Sequence, residues 1–236
     1  MRKKHLFFDM DGTLTFTRSK IAPLMEARIA ALFAAHTIAV ISGSTNNQMD
    51  FQINCLPVIK MGQNGNHVID PVDGELWFDV LTASEKNEVF EHIAALRPLL
   101  NYNVPDPDDL IEDRGSQVSF SIYGHHADPA AKKAFDGDFK KRTALLAAFP
   151  FTSSTVDVRM GGSTTFDYFK KGRHKGYNIA RLLTHKGWNP DECLFFGDAL
   201  FPGGNDESII GVIETIAVAD EEDCYEKLKG VDVVVQ

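Results

Sequence analysis

Short apolar runs alternate with segments of helical periodicity towards both ends of the chain. The runs are His5–Phe8, Thr37–Ile41, Pro57–Met61, Cys193–Phe196, Thr215–Val218 and Asp232–Val235. Continuous hydrophobicity of this kind is typical of strands buried on both faces of a parallel sheet. Helical spacing lies between the runs, at Ile21, Leu24, Met25, Ile29, Leu32 and Phe33, and again at Ile179, Leu182 and Leu183. The pattern predicts an α/β fold with a doubly wound, Rossmann-like parallel sheet covered by helices.

The middle of the chain follows a different pattern. Thr82 and Glu85 have the spacing of a capping box at the start of a helix. Gln117–Tyr123 and Thr155–Arg159 alternate between polar and apolar side chains, which is typical of strands with one buried and one open face. A helix-capable stretch, Lys132–Ala148, separates these two strands. The middle is therefore predicted to be an α+β unit inserted into the core.

We predict a core formed by residues 1–81 and 162–236, with the inserted unit spanning residues 82–161. A chain of 236 residues is long enough for a core with one insertion. Its 44% hydrophobic and 24% charged residues are ordinary for a globular protein and exclude a disordered or fibrous chain. The net charge of −9 argues against nucleic acid or an anionic membrane as a partner, because phosphate-rich partners usually need a basic surface.

Cysteine usage and the start of the chain bear on the compartment. Cys55, Cys193 and Cys224 are far apart and lack the spacing of a metal site or a CxxC motif. The first residues contain too short an apolar run for a signal peptide, and no segment approaches ~20 consecutive apolar residues. We therefore expect reduced thiols and a cytoplasmic location.

Acidic residues follow two of the predicted strands. Asp9 and Asp11 come directly after the first strand, and Asp198 and Asp206 follow the strand that begins at Cys193. Ligands of open α/β sheets bind at the carboxyl ends of the strands. Uncompensated carboxylates are costly there unless a cation or a proton relieves their repulsion. A calcium-binding loop is disfavoured because the residues after Asp9 lack its ligand spacing.

Small hydroxyl groups and a lysine complete the set of candidate site residues. Ser42 and Ser44 follow the strand Thr37–Ile41 and are suited to hydrogen-bonding a phosphoryl oxygen, although Ser-Gly-Ser is also common in ordinary turns. Lys175 lies near a predicted helix start, where a cation is unfavourable to the helix dipole. Neutralising a bound anion explains that position, and an ordinary surface lysine is the alternative.

These four segments, in this order, resemble the motifs of the haloacid dehalogenase superfamily. The resemblance implies that Asp9 is a nucleophile that accepts a phosphoryl group and that Asp11 is the general acid and base. It also implies that Ser42 or Ser44, with Lys175, holds the phosphoryl oxygens. A Mg²⁺ site is implied at Asp9, the main-chain carbonyl of Asp11 and Asp198, with Asp206 or Asn205 in support. Hard oxygen ligands favour Mg²⁺ over zinc.

The insertion resembles the C2-type cap of subclass IIB, and within that branch the chain is most similar to the eukaryotic-type phosphomannomutases. The resemblance rests on Asp9–Thr15, Arg18–Ile21, Asn64-Gly65, Arg114-Gly115, Gly161-Gly162, Thr165–Asp167 and Gly197–Asp206. It implies that Arg18, Arg114, Thr165 and Asp167 contact a sugar phosphate. Arg18 is alternatively an ordinary surface residue near a helix start.

Departures from that family pattern affect the expected reaction. His125 occupies the position of one family arginine, and another family arginine has no counterpart after Arg114. Histidine is a poorer bidentate phosphate ligand than arginine. We therefore expect a Mg²⁺-dependent hexose-phosphate phosphatase that uses an aspartyl-phosphate intermediate, with His125 near the substrate. His125 and His126 are alternatively exposed loop histidines without a ligand.

Two other functions stay open at this point. One is a phosphomannomutase-type isomerase that interconverts mannose 6-phosphate and mannose 1-phosphate. The other is a phospho-accepting regulatory module without turnover, which would need neither Asp11 nor a large cap. The expected partner is a phosphorylated sugar, and a homodimer formed through the cap is left open.

Overall fold

The computed structural model describes residues 3–231, so the predicted strand Asp232–Val235 lies outside the described residues. The chain divides into two compact units. The core unit contains the residues up to Phe78 and those from Arg173 onward, and the cap unit is Asp79–Gly172. Within residues 3–231 no helix is long and apolar enough to cross a membrane.

The core unit contains one large sheet. Its described strands are β1 (His5–Asp9), β2 (Thr37–Ile41), β3 (Ile59–Gly62), β4 (His67–Asp70), β5 (Gly74–Phe78), β10 (Cys193–Gly197) and β11 (Glu214–Ala217). In the part of the chain that the structure describes, they lie in the order β11-β10-β1-β2-β3-β4-β5. The first five strands in this order run parallel, and β4 and β5 add an antiparallel hairpin at one edge.

Helices cover both faces of this sheet. They are α1 (Pro23–Leu32), α2 (Asn46–Gln52), α6 (Lys175–Lys186) and α7 (Glu221–Leu228). Phe8 packs in one hydrophobic cluster with Ile29 of α1, whereas Phe7 packs in a second cluster with Ile179 of α6. Neighbouring residues of β1 therefore face two different cores, which explains why the strand is continuously apolar. The predicted α/β fold with a doubly wound sheet is confirmed.

The cap unit is an α+β unit with a single antiparallel sheet among its described residues. Its elements are α3 (Ala83–Leu96), β6 (Ile111–Asp113), β7 (Gln117–Ser121), α4 (Pro129–Asp136), α5 (Lys140–Ala148), β8 (Val156–Gly161) and β9 (Thr165–Lys170). The strands lie in the order β6-β7-β9-β8. Thr82 and Glu85 form the predicted capping box of α3. The predicted helix over Lys132–Ala148 is two helices, because Phe139 adopts a left-handed conformation with φ of 64° between them.

The polar face of β7 is not open to solvent, contrary to the prediction. Gln117, Ser119 and Ser121 are fully buried. The hydroxyl of Ser119 donates to Asp167 Oδ1 at 2.7 Å, and that of Ser121 lies 3.1 Å from Thr164 Oγ1. Polar side chains that satisfy one another leave the same alternating pattern in a sequence as side chains that face water. The alternating pattern predicted correctly which side chains share a face of β7, but the prediction that this face is open to solvent was wrong.

The cap unit ends later than the predicted boundary at residue 161. Strand β9 pairs with β7 on one side and with β8 on the other, so it lies inside the cap sheet. The unit accordingly runs to Gly172.

Candidate active site

The carboxyl end of the central strand brings two predicted site residues into contact. Asp9 is the last residue of β1, and its side chain is almost fully buried. Lys175, the first residue of α6, donates from Nζ to Asp9 Oδ1 at 2.5 Å and to Asp206 Oδ1 at 2.8 Å. The Lys175 side chain is 1% exposed, so this is a buried contact and not a surface ion pair. The surface-lysine alternative for Lys175 is therefore wrong.

Three carboxylates converge beside this lysine. One oxygen each from Asp9, Asp198 and Asp206 lies within 4.8 Å of the others. Gly12 permits this approach in two ways: its φ of +82° favours glycine, and a Cβ there would lie 2.7 Å from Asp198 Oδ2. We refer to Asp9, Asp198 and Asp206 as the acidic cluster.

The electrostatics of the acidic cluster fit a divalent cation. Burial raises the pKa of Asp9 well above its ordinary value, and Asp206 and Asp198 raise it further against the opposing charge of Lys175. Burial and then Asp206 raise the pKa of Asp198 to about 6. Burial opposes the charge on Lys175, but Asp206 and Asp9 outweigh it and raise the pKa of the lysine. One ammonium group thus contacts a cluster with excess negative charge, and oxygen ligands of this kind hold hard divalent ions.

Asp11 makes a separate set of contacts. Its Oδ1 accepts a hydrogen bond from the backbone N–H of Arg18 at 2.7 Å and from Gln52 Nε2 at 2.9 Å. Gln52 Nε2 also lies 3.2 Å from Thr15 Oγ1. The structure therefore links Arg18 to Asp11 through its backbone. Sequence analysis missed Gln52, because a glutamine at the end of a short helix carries no local signal of contact with residues 41 positions away.

We expect the Gln52→Leu substitution to lower kcat by about fivefold, since one hydrogen bond worth about 1 kcal/mol holds Asp11. Steady-state kinetics should show a smaller change in KM, because Asp11 is expected to act in proton transfer more than in binding. Asp50→Asn is the matched control, since it lies on the same helix and loses only its pairing with Lys60. Equal kinetics for both variants would contradict a role for Gln52.

The loop Ser42–Ser44, which we call the serine loop, begins beside Asp9. Ile41 of β2 pairs with Asp9 in the sheet register, and Ser42 is the next residue. Ser42 is buried, and its Oγ accepts a hydrogen bond from the backbone N–H of Ser44 at 3.1 Å. The backbone N–H groups of Asn64 and Gln63 donate to the carbonyls of Ser42 and Ser44 at 2.8 and 2.9 Å. The loop is therefore fixed by its neighbours, which suits it to orient a bound group.

The predicted cap residues also cluster, within the cap unit. Arg114 donates from Nε and Nη2 to Glu112 Oε2 at 2.9 and 2.5 Å. Asp167 is buried and accepts from Ser119; burial raises its pKa, against the nearby charge of Arg114. The hydroxyl of Thr165 donates to the carbonyl of Gly161. The cap thus presents cationic, acidic and hydroxyl groups close together.

The two adjacent histidines differ from the expectation of exposed loop residues. His125 has no exposed surface; its Nε2 lies 3.2 Å from the carbonyl of Ser119 and its Nδ1 3.7 Å from Glu112 Oε1. His126 is exposed, and its Nδ1 lies 2.5 Å from Asp109 Oδ1. His125 is therefore buried, so the alternative of an exposed loop histidine is wrong for this residue.

Comparison with known proteins identifies similar chains. The model of the eukaryotic phosphomannomutase family matches residues 97–232. The chain is 28% identical over 220 residues to phosphomannomutase 1 of Dictyostelium discoideum, covering 86% of this chain and 84% of that protein. It is 27% identical over 229 residues to the phosphomannomutase of Drosophila melanogaster, covering 90% and 88%.

A solved structure shares the fold. A haloacid dehalogenase-like hydrolase from Bacteroides thetaiotaomicron superposes with a TM-score of 0.64 over 98% of this chain and 100% of that one. The sequence identity of that pair is 14%, so the likeness concerns the fold alone.

These findings contradict the prediction of a sugar-phosphate phosphatase. The matching family and the curated relatives are phosphomannomutases, which supports the isomerase alternative instead. The prediction rested on His125 in the position of one family arginine and on a second family arginine without a counterpart after Arg114. The relatives named above therefore outweigh the argument from single arginine positions.

Proposed function

This chain belongs to the eukaryotic phosphomannomutase family, and we propose that it interconverts hexose 6-phosphates and hexose 1-phosphates, with mannose phosphates as the first candidates. The observation that carries the proposal is the buried contact of Asp9 with Lys175 beside Asp198 and Asp206, in a chain that matches this family over more than half its length. A phosphorylated sugar is the proposed partner.

Asp9 is the proposed nucleophile. Its carboxylate oxygen forms a bond to phosphorus while the bond from phosphorus to the sugar oxygen breaks, which leaves an aspartyl phosphate. In the reverse direction a sugar hydroxyl attacks that phosphorus, and the Asp9 carboxylate is released. Two such transfers through a hexose bisphosphate that turns round in the site move the phosphate from one sugar oxygen to the other, with no net use of water.

Asp11 is the proposed general acid and base. It gives a proton to the departing sugar oxygen and takes one from the attacking hydroxyl, so one carboxyl group serves both transfers. Its contacts with the Arg18 N–H and with Gln52 hold the side chain at one oxygen. The other oxygen has the freedom to exchange a proton with a substrate.

Lys175 and Ser42 are proposed to hold the transferring phosphoryl group by charge and by hydrogen bonding. The acidic cluster, with the main-chain carbonyl of Asp11, would hold Mg²⁺, which when bound screens the repulsion between a carboxylate and a phosphate dianion. Lys175 contributes a fixed positive charge beside Asp9 and Asp206, because these two buried carboxylates keep it protonated.

In the cap, we propose that Arg114, Thr165 and Asp167 bind the sugar phosphate. The guanidinium of Arg114 is suited to a phosphate, and the hydroxyl and carboxylate groups are suited to sugar hydroxyls. Glu112 orients Arg114 by accepting hydrogen bonds from its Nε and Nη2 groups. A role for Ser44 near the phosphoryl group is proposed on its place in the serine loop.

The test is an isomerisation assay with mannose 1-phosphate, Mg²⁺ and a trace of hexose bisphosphate, followed by phosphorus NMR. We expect mannose 6-phosphate to form, to depend on the bisphosphate, and to cease when EDTA removes the metal. Adding Mg²⁺ in excess of EDTA should restore it. Release of inorganic phosphate without the isomer would contradict the proposal.

A further inference from the structure

A buried arginine that the sequence analysis did not single out organises one turn of the cap. Arg142 lies in the first turn of α5 and has no exposed surface. Its Nη1 donates to the carbonyls of Gly161, Gly162 and Thr165 at 2.8, 3.1 and 3.0 Å. Its Nη2 donates to the carbonyl of Ser163 at 3.0 Å. One guanidinium group thus binds four carbonyls of the β8–β9 turn.

A second buried residue fixes Arg142 itself. Asp136, the last residue of α4, accepts from Arg142 Nε at 2.6 Å through Oδ2. Its Oδ1 accepts from the backbone N–H of Lys141 at 2.7 Å. The left-handed Phe139 turns the chain between the two helices, and its ring lies 4.7 Å from the Arg142 guanidinium carbon. The junction of α4 and α5 therefore holds the Arg142 guanidinium in one orientation, paired with Asp136, against the β8–β9 turn.

The turn held by Arg142 carries two of the residues proposed to bind the sugar phosphate. Thr165 donates its hydroxyl to the carbonyl of Gly161, which Arg142 also binds. Asp167 lies two residues further along β9, and any side chain at Gly161 would collide with its carboxylate. A shift of this turn would therefore displace the Thr165 hydroxyl and the Asp167 carboxylate together.

Burying a guanidinium is costly unless its donors are satisfied and its charge is paired. An apolar residue at position 142 would fill the space, but it could not bind four carbonyls that converge from one turn. The Arg142 guanidinium donates to the carbonyls of Gly162 and Ser163 at the tip of the turn, whereas the carbonyl of Thr164 accepts from the backbone N–H of Ile122. The burial of a charged guanidinium at position 142 is explained if the conformation of the β8–β9 turn matters for substrate binding.

We propose that Arg142 is a positioning residue for the sugar phosphate, acting through the β8–β9 turn on Thr165 and Asp167. The inference rests on the proposed function, since it assumes that these two residues meet the substrate. Arg142 itself, being buried, touches no substrate. Its effect should appear in substrate binding more than in the chemical step.

The decisive variant is Arg142→Lys, which keeps the charge beside Asp136 but cannot bind four carbonyls with a fixed planar fork. We expect KM for mannose 1-phosphate to rise about tenfold, with kcat within about twofold of the unsubstituted protein. Hydrogen–deuterium exchange should become faster at residues 161–165. His92→Phe is the control, because it breaks another buried cap contact, with Tyr168 and Phe149, and does not touch the turn.

The outcomes separate positioning from general stability and from the proposed function. If both variants lower the melting temperature but only Arg142→Lys raises KM, the positioning role is supported. Equal KM values for the two variants would overturn it while leaving the isomerase proposal intact. Absence of isomerisation by the unsubstituted protein would instead overturn the proposed function. Should Arg142→Lys fail to fold, Asp136→Asn, which loosens the same guanidinium, should give a smaller rise in KM, and no rise would overturn the inference.

Discussion

Replacing Asp9 with asparagine should abolish isomerisation, with kcat falling by about 10⁴-fold or more. An amide oxygen is too weak a nucleophile to form the acyl phosphate. Asp206 also contacts Lys175, but among the described carboxylates only Asp9 makes that contact from the end of β1. The variant should stay folded, because asparagine has nearly the same shape and Lys175 keeps its bond to Asp206. The measurement is single-turnover transfer of phosphate to the protein, followed by mass spectrometry.

Asp73→Asn is the control for Asp9→Asn, since Asp73 is exposed and pairs with Lys186 away from the acidic cluster. That control should keep full activity and should still accept one phosphoryl group. Turnover by Asp9→Asn within tenfold of the unsubstituted protein would rule out Asp9 as the nucleophile.

Replacing Lys175 with methionine should destabilise the metal-free protein by about 3–5 kcal/mol, because it leaves two buried carboxylates without their cation. Urea unfolding in EDTA measures this loss. Excess Mg²⁺ should recover part of it, since a cation bound to the acidic cluster would replace some of the missing charge. Activity should fall at least about 10²-fold even with Mg²⁺ present, because the phosphoryl group loses a fixed positive partner.

Lys186→Met, at the other end of α6, is the comparison for Lys175→Met. Lys186 pairs with the exposed Asp73 and with the buried Asp70, which also accepts backbone hydrogen bonds from Val72 and Asp73, so Lys186→Met should cost less than Lys175→Met. A loss for Lys175→Met no greater than that for Lys186→Met would show that the buried contact contributes little.

The core of the fold could be predicted because its signal is local. Leu6, Phe7 and Phe8 of β1 are buried within a sheet covered on both faces, so all three are apolar before the chain reaches the sheet edge at Asp9. The carboxyl ends of parallel strands meet at one edge, and the acidic residues after β1 and β10 were expected to meet there. The structure does bring Asp9 and Asp198 together.

The cap could be predicted only in part, because the information there is not local. Alternation in β7 fixes which side chains share a face, but whether that face meets water or a polar interior depends on distant partners such as Asp167. The burial of His125 depends on the same partners. Arg142 and Gln52 escaped notice for a related reason, since each acts on segments far away in the sequence.

Helix α2 has a consequence for how this protein can vary. Its N-terminal cap, Thr45, directly follows the serine loop, and its last residue, Gln52, holds Asp11. Helix α2 has seven residues, and a rise of about 1.5 Å per residue separates its two ends by about 10 Å. Inserting a single residue would swing Gln52 by about 100° around the helix axis, away from Asp11. The solvent-facing residues of α2 can therefore vary, whereas its length is fixed because its two ends contact different parts of the site.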